Sequence, residues 1–315
     1  MERALNFDPG NVELRRRAAD WYLDYEEYGS AVAHLRRVAA ARPHDTDALL
    51  ELGSALDLQG KDDESQDCLE LALDLEPQNE AVRETLASVI HKRALKLAAR
   101  GANAEALAGF TRTIELAPQQ DRHHIGLGAH YLTLGRIGDA EAAFARAVAL
   151  DPREPLLRVL IGMAYLDHGR AKEGDRSLRE ALRLGRTPYL HALIGQAYAR
   201  HGQPARAEAC FARVLKSRDP RALYSVGNAF LNQGRFEDAV PYLERAVGLD
   251  PLDGDSHLAL AFALARGPAD YDRAAFELVA AQFAAGAFGD RELLADIALA
   301  RTVFAEMAET ATATS

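Results

Sequence analysis

The stretch GAHYLTLGRIGDAEAAFARAVALDP, residues 128–152, decides the fold. Gly128 is followed by Tyr131 three residues on and by Gly135 four residues after that. Ala140, Phe144, Ala147 and Pro152 follow at helical spacing. Small and large apolar residues therefore line one face of each of two short helices, with a glycine between them. The order recurs downstream as Gly162, Tyr165, Gly169, Leu178 and Ala181. It returns as Gly195, Tyr198, Gly202, Ala207, Phe211 and Val214, and again as Gly227, Phe230, Gly234, Ala239, Leu243, Ala246 and Pro251. Prolines carry the same period: Pro9, Pro43 and Pro77 are 34 residues apart, as are Pro118 and Pro152, and Pro220 lies 68 beyond Pro152.

Packing explains the pattern. The first glycine of each unit (Gly53, Gly128, Gly162, Gly195, Gly227) lets two helices cross closely. The second (such as Gly135 or Gly202) ends the first helix in a left-handed backbone conformation. Small residues such as Ala31, Ala106, Ala140, Ala207 and Ala239 open the second helix where it meets the first. Proline then stops the second helix. Such a unit cannot bury its apolar face alone and stacks on its neighbours.

In these residues the chain resembles the tetratricopeptide repeat family, which has the same 34-residue period. The resemblance implies an all-α, right-handed α-solenoid superhelix of about eight helix–turn–helix repeats with a C-terminal capping helix. The expected organisation is the end of a preceding partial repeat at 1–9, a tandem superhelix over 10–286, a capping helix over 287–309 and a disordered tail over 310–315. The cap rests on the stripe Leu293, Ile297, Ala300, Phe304 and Met307. The start inside a repeat suggests either a fragment of a longer protein or an end face that docks on something.

Two departures stand out. The third unit is 41 residues long, which adds nearly two turns to its first helix and almost preserves helical phase. That extension carries Lys92, Lys96 and Arg100 four apart on one face, a basic ridge for an acidic partner. At Thr187-Pro188 and Asp219-Pro220 the proline starts a helix after an N-cap instead of ending one.

Composition narrows the function. The chain has 315 residues, 48% hydrophobic and 27% charged, so disorder is excluded as its main state. A net charge of −10 argues against nucleic acid, which needs clustered positive charge. No secretory signal opens the sequence and no apolar run is long enough to span a bilayer, so the expectation is a cytoplasmic protein without membrane insertion. Cys68 and Cys210 occupy the same position in units separated by three whole repeats, which reads as buried thiols, not a disulfide. His123, His124 and His130 cluster, but no cysteine or carboxylate completes a metal-ligand spacing, and His168 and His201 repeat a turn position. No nucleophile, base and stabiliser converge, so the chain reads as non-enzymatic, with no cofactor and no metal.

The resemblance implies that first helices line a concave groove for a protein or peptide partner. The positions expected to line it begin polar (Arg16, Asp20, Ser54, Asp57). They turn apolar at Ile125, Leu132, Val159, Leu160, Met163 and Leu166. They end in Gln196, Arg200, Tyr224, Asn228 and Asn232. Amides there can hydrogen-bond a peptide backbone whatever its sequence. The Lys/Asn/Arg clamp of the family's chaperone-binding members has no counterpart at equivalent positions. The first reading is therefore an adaptor that binds a peptide or helix of a partner. Alternatives are the recognition arm of a larger enzyme such as a protein glycosyltransferase, and a scaffold self-associating through its N-terminal face into a homo-oligomer.

Overall fold

The structure is a computed structural model that describes Asp8 and residues 10–314, with side chains described as far as Met307. The expected partial repeat at 1–9 lies, Asp8 apart, outside the described residues. Among the described residues there are 17 helices and no strand. None of these helices is long and apolar enough to cross a membrane. Contacts divide the chain into two units, Met1–Pro152 and Arg153–Ser315.

In the first unit the helix pairs are α1 (Val12–Asp24) with α2 (Tyr28–Ala41), and α3 (Thr46–Leu58) with α4 (Asp62–Leu75). They continue as α5 (Glu80–Ala99) with α6 (Asn103–Leu116), and α7 (Asp121–Thr133) with α8 (Ile137–Leu150). In the second unit they are α9 (Pro155–Asp167) with α10 (Ala171–Leu184), and α11 (Pro188–Arg200) with α12 (Pro204–Leu215). After these come α13 (Pro220–Asn232) with α14 (Phe236–Leu249), α15 (Gly254–Arg266) with α16 (Tyr271–Phe288), and the final helix α17 (Arg291–Thr314). Each unit is thus an all-α stack of helix pairs, the solenoid architecture expected.

The helix starts follow from local chemistry. Asn11, Asp45 and Asn79 place a side-chain oxygen on the N–H three residues on, opening α1, α3 and α5. Thr187 and Asp219 do the same for α11 and α13, each followed by proline at the first helical position, as expected. The turn inside a pair is held by a left-handed glycine such as Gly135, at φ 71°.

Inside the second, fourth, fifth, sixth and seventh pairs the decisive contact joins a glycine to a large residue sixteen positions on. A Cβ at Gly128 would stand 2.5 Å from the Phe144 ring, and one at Gly162 would stand 2.8 Å from Leu178. Gly53 meets Leu69, Gly195 meets Phe211 and Gly227 meets Leu243 in the same way. The third pair exchanges the roles. There the first helix supplies Ala94, and the close approach comes from Gly109 on the second, where a Cβ would stand 2.9 Å from Ala94. That pair also holds the expected extension: α5 has 20 residues where α3 and α7 have 13.

Polar contacts tie successive pairs together. Arg16 of α1 reaches the α3 cap residue Asp45 at 3.3 Å and Glu51 at 3.1 Å. Burial pushes the Asp45 carboxyl up. The Ala48 N–H together with Arg16 and Arg42 more than offsets this and leaves it below the usual carboxylate value. In the second unit the buried Asp175 of α10 accepts from Tyr198 of α11 at 2.8 Å and from Arg206 of α12 at 2.7 Å. Burial and the bond to Asp175 hold the Tyr198 phenol far above its ordinary value.

The last pair is covered by α17. Leu293, Ile297, Ala300 and Phe304 are buried, Met307 is partly so, and Phe304 meets Phe262 of α15 edge-on at 5.2 Å. The helix runs to Thr314, past the expected end of the cap at 309. No glycine or proline stands between 309 and 314 to stop it, so the segment expected to be a disordered tail is helical over 310–314. Between α15 and α16, the buried His257 lies 2.6 Å from Glu277. The hydrogen bond to Glu277 raises the imidazole above its ordinary value of 6.5, against the opposing effect of burial.

The close contacts give a stability test by urea unfolding. Gly162→Val is expected to cost about 1–3 kcal/mol through overpacking against Leu178. Gly248→Ala, where a Cβ meets nothing within 4 Å, is expected to gain about 0.5–1 kcal/mol. The His257–Glu277 pair gives a pH test. A raised folded value means that its stabilisation is complete below about 6.5 and fades as pH rises through the folded value. Thermal melts between pH 6 and 9 should show this loss, and His257→Gln should flatten it.

Candidate functional site

The second unit contains a cavity of about 610 Å³ between α11 and α13. From α11 it is lined by Tyr189, Gln196 and Arg200, which share a face at intervals of seven and four. From α13 come Arg221, Tyr224, Ser225, Asn228 and Asn232, again at intervals of three and four. The caps Thr187 and Asp219 set where these helices begin, and so which residues face the cavity.

One polar contact spans the floor. Gln196 Nε2 donates to the Ser225 carbonyl at 2.8 Å and to Ser225 Oγ at 2.7 Å. It fixes the spacing of the two helices and uses up the amide donor of Gln196. The Tyr224 phenol is pushed up by burial and then by Asp255 and Asp253, so it remains an O–H donor at neutral pH. Arg200 and Arg221 are exposed, and neither makes an ion pair or side-chain hydrogen bond among the described residues. By contrast, Arg206, Arg235 and Arg273 of the same unit are each paired with a carboxylate. No aspartate or glutamate lines the cavity. The wall is thus a set of amide, phenol and guanidinium groups suited to backbone and anionic groups, with no nucleophile and base in contact.

The expected groove residues divide sharply. Gln196, Arg200, Tyr224, Asn228 and Asn232 come together in this cavity. The apolar set does not form a surface strip. Ile125 and Leu132 are buried in the first unit, and Val159 and Leu166 are buried in the second. Leu166 reaches α10, where a Cβ at Gly174 would stand 2.7 Å from it. Helical spacing of apolar residues marks a face that must be covered, and here the partner helix covers it. Met163 is half-buried against the same core. Leu160 is exposed, as is Leu156 one turn before it. Tyr189 and Arg221 were missed. Both follow the helix-starting prolines Pro188 and Pro220, whose place directly after the N-caps Thr187 and Asp219 already fixes the register that brings them to the cavity.

The expected basic ridge is largely neutralised. Lys92 bonds Asp57 at 2.5 Å, Lys96 pairs with Asp62, and Arg93 reaches Asp63 at 3.2 Å. The extra turns of α5 overlie the carboxylates of the preceding pair, so two of the three ridge cations serve the fold and only Arg100 stays unpaired among the described residues. Cys68 and Cys210 are free thiols, both pushed up by burial. His124 and His130 bond backbone carbonyls, those of Pro118 and Asn103, at 3.0 Å each. Burial, followed by the nearby His123, lowers His91 to about 4. Among the described residues no group of three or more His, Cys, Asp or Glu side chains could hold a metal ion.

Comparison with known proteins supports the same architecture. Tetratricopeptide repeat patterns match residues 22–89, 91–155, 192–255 and 227–302. A tetratricopeptide repeat protein from Parabacteroides merdae is similar in structure, with 19% identity and a TM-score of 0.50 over 80% of this chain and 98% of its own. MamA from Desulfovibrio magneticus, at 20% identity and a TM-score of 0.44, matches 55% of this chain and 94% of its own. YrrB, described as a repeat protein with an unusual peptide-binding site, has 17% identity and a TM-score of 0.41 over 58% of this chain and 91% of its own. No curated protein sequence matches significantly.

The division between core and cavity is open to test by urea unfolding. Leu166→Ala is expected to cost about 2–4 kcal/mol, whereas Asn232→Ala should stay within about 0.5 kcal/mol.

Proposed function

Because the chain belongs to the tetratricopeptide repeat family, we propose that it acts as a protein–protein interaction scaffold and that the α11–α13 cavity binds an extended peptide segment of its partner. One observation carries this reading. Asn228 and Asn232 stand a helical turn apart beside a cavity of peptide dimensions, and their amide groups make no side-chain hydrogen bond among the described residues. An amide offers both a donor and an acceptor, which is what an extended backbone presents. Of the apolar residues expected in the groove, Val159 and Leu166, with Met163 against them, belong instead to the core shared by α9, α10 and α11. The role is binding, with no covalent chemistry in it.

Selection from a displayed random-peptide library, read by affinity measurements on the enriched sequences, tests the assignment. Asn228→Ala with Asn232→Ala should weaken selected peptides at least about tenfold, since the backbone partners are then left unpaired. Circular dichroism should show the helices unchanged. Peptides that bind equally well to the double variant would move the site elsewhere.

A further inference from the structure

We propose that the segment held in the α11–α13 cavity is acidic and that Arg200 and Arg221 select it through its carboxylates. This rests on the peptide reading of the cavity and specifies what that reading leaves open. Arg200 closes α11 and Arg221 lies in the first turn of α13, so cations border the cavity from both helices. Neither has a counter-ion among the described residues, while the protein as a whole carries −10. Several carboxylates elsewhere in the fold are paired: Asp45 holds Arg16, Asp175 holds Arg206 and Arg179, and Glu244 holds Arg273. A cavity that keeps two guanidiniums free and admits no acid to its wall has the opposite polarity to its surroundings.

The donors agree with this sign. The Tyr224 hydroxyl remains protonated, and Gln196 and Ser225 satisfy each other across the floor. Guanidinium binds carboxylate through parallel N–H bonds, which gives direction as well as attraction. Against the net negative charge of the chain, the two cations make the cavity a place where an acidic segment gains. Asp253 and Asp255 act on the Tyr224 phenol. They set the limit of the acidic stretch, whose side chains belong on the arginine side.

Three degenerate peptide pools of one length, enriched in Glu, Gln or Lys and carrying a fluorophore, test the proposal by anisotropy on the full chain. The Glu pool should bind tightest, and binding should weaken as salt is raised from about 50 to 500 mM. Arg200→Gln and Arg221→Gln should each reduce Glu-pool binding about tenfold and Gln-pool binding by much less. Arg200→Lys should recover only part of the loss, because the forked geometry is missing. Arg183→Gln, on the exposed surface of α10, should change nothing. No preference for Glu over Gln, or equal binding by both arginine variants, overturns the acidic assignment. A single-stranded oligonucleotide binding more tightly than the Glu pool overturns it too. Sensitivity of library-selected peptides to the Asn228 and Asn232 changes stands apart from these outcomes. Neutral selected peptides that depend on the asparagines would leave the peptide site intact and remove only its charge preference.

Discussion

A side chain of no size facing one of large size, sixteen residues away, is the constraint on which the rest depends. Gly128 against Phe144 and Gly162 against Leu178 set how closely two helices of a pair approach. Packing at that distance leaves no room for a methyl group, so each pair has one spacing and one register. A stack of pairs with fixed spacing then presents its first helices at regular intervals. The cavity between α11 and α13 is one such interval, spanned by the Gln196–Ser225 contact. On the proposed reading, binding rests on the regularity with which polar residues are set beside one another.

The third pair shows how much variation that constraint permits. Its close approach moves from the first helix to the second, with Ala94 and Gly109 sharing the work. The added length of α5 keeps helical phase, so the new turns extend along existing neighbours instead of rotating away from them. Lys92 and Lys96 accordingly find Asp57 and Asp62. A cation run that looks surplus in sequence becomes a strap between successive pairs.

Helix type and the pairing order were readable from Gly, Ala and Pro positions, because those residues act through local backbone geometry and contact distance. The polar half of the site was readable too. Gln196, Asn228 and Asn232 have no business on an apolar face, so their helical register alone assigns them to a surface. The apolar half was not. Val159 and Leu166 follow the same period whether they face a ligand or a neighbouring helix, and only three-dimensional packing tells the two apart. The fate of Lys92 and Lys96 was hidden for a related reason, since their partners lie about 35 residues earlier, one repeat away.

Asp45 shows what such economy implies for unfolding. One carboxylate caps α3, receives Arg16 from the pair before and contacts Arg42 in the intervening turn. The start of one repeat and part of its grip on the previous one therefore share an atom group. In a linear array, stability is a sum of intrinsic terms and nearest-neighbour couplings. A residue that belongs to both terms couples fraying at that junction to the repeat on either side. Where repeats share their boundary residues in this way, the array comes apart in blocks larger than the repeat.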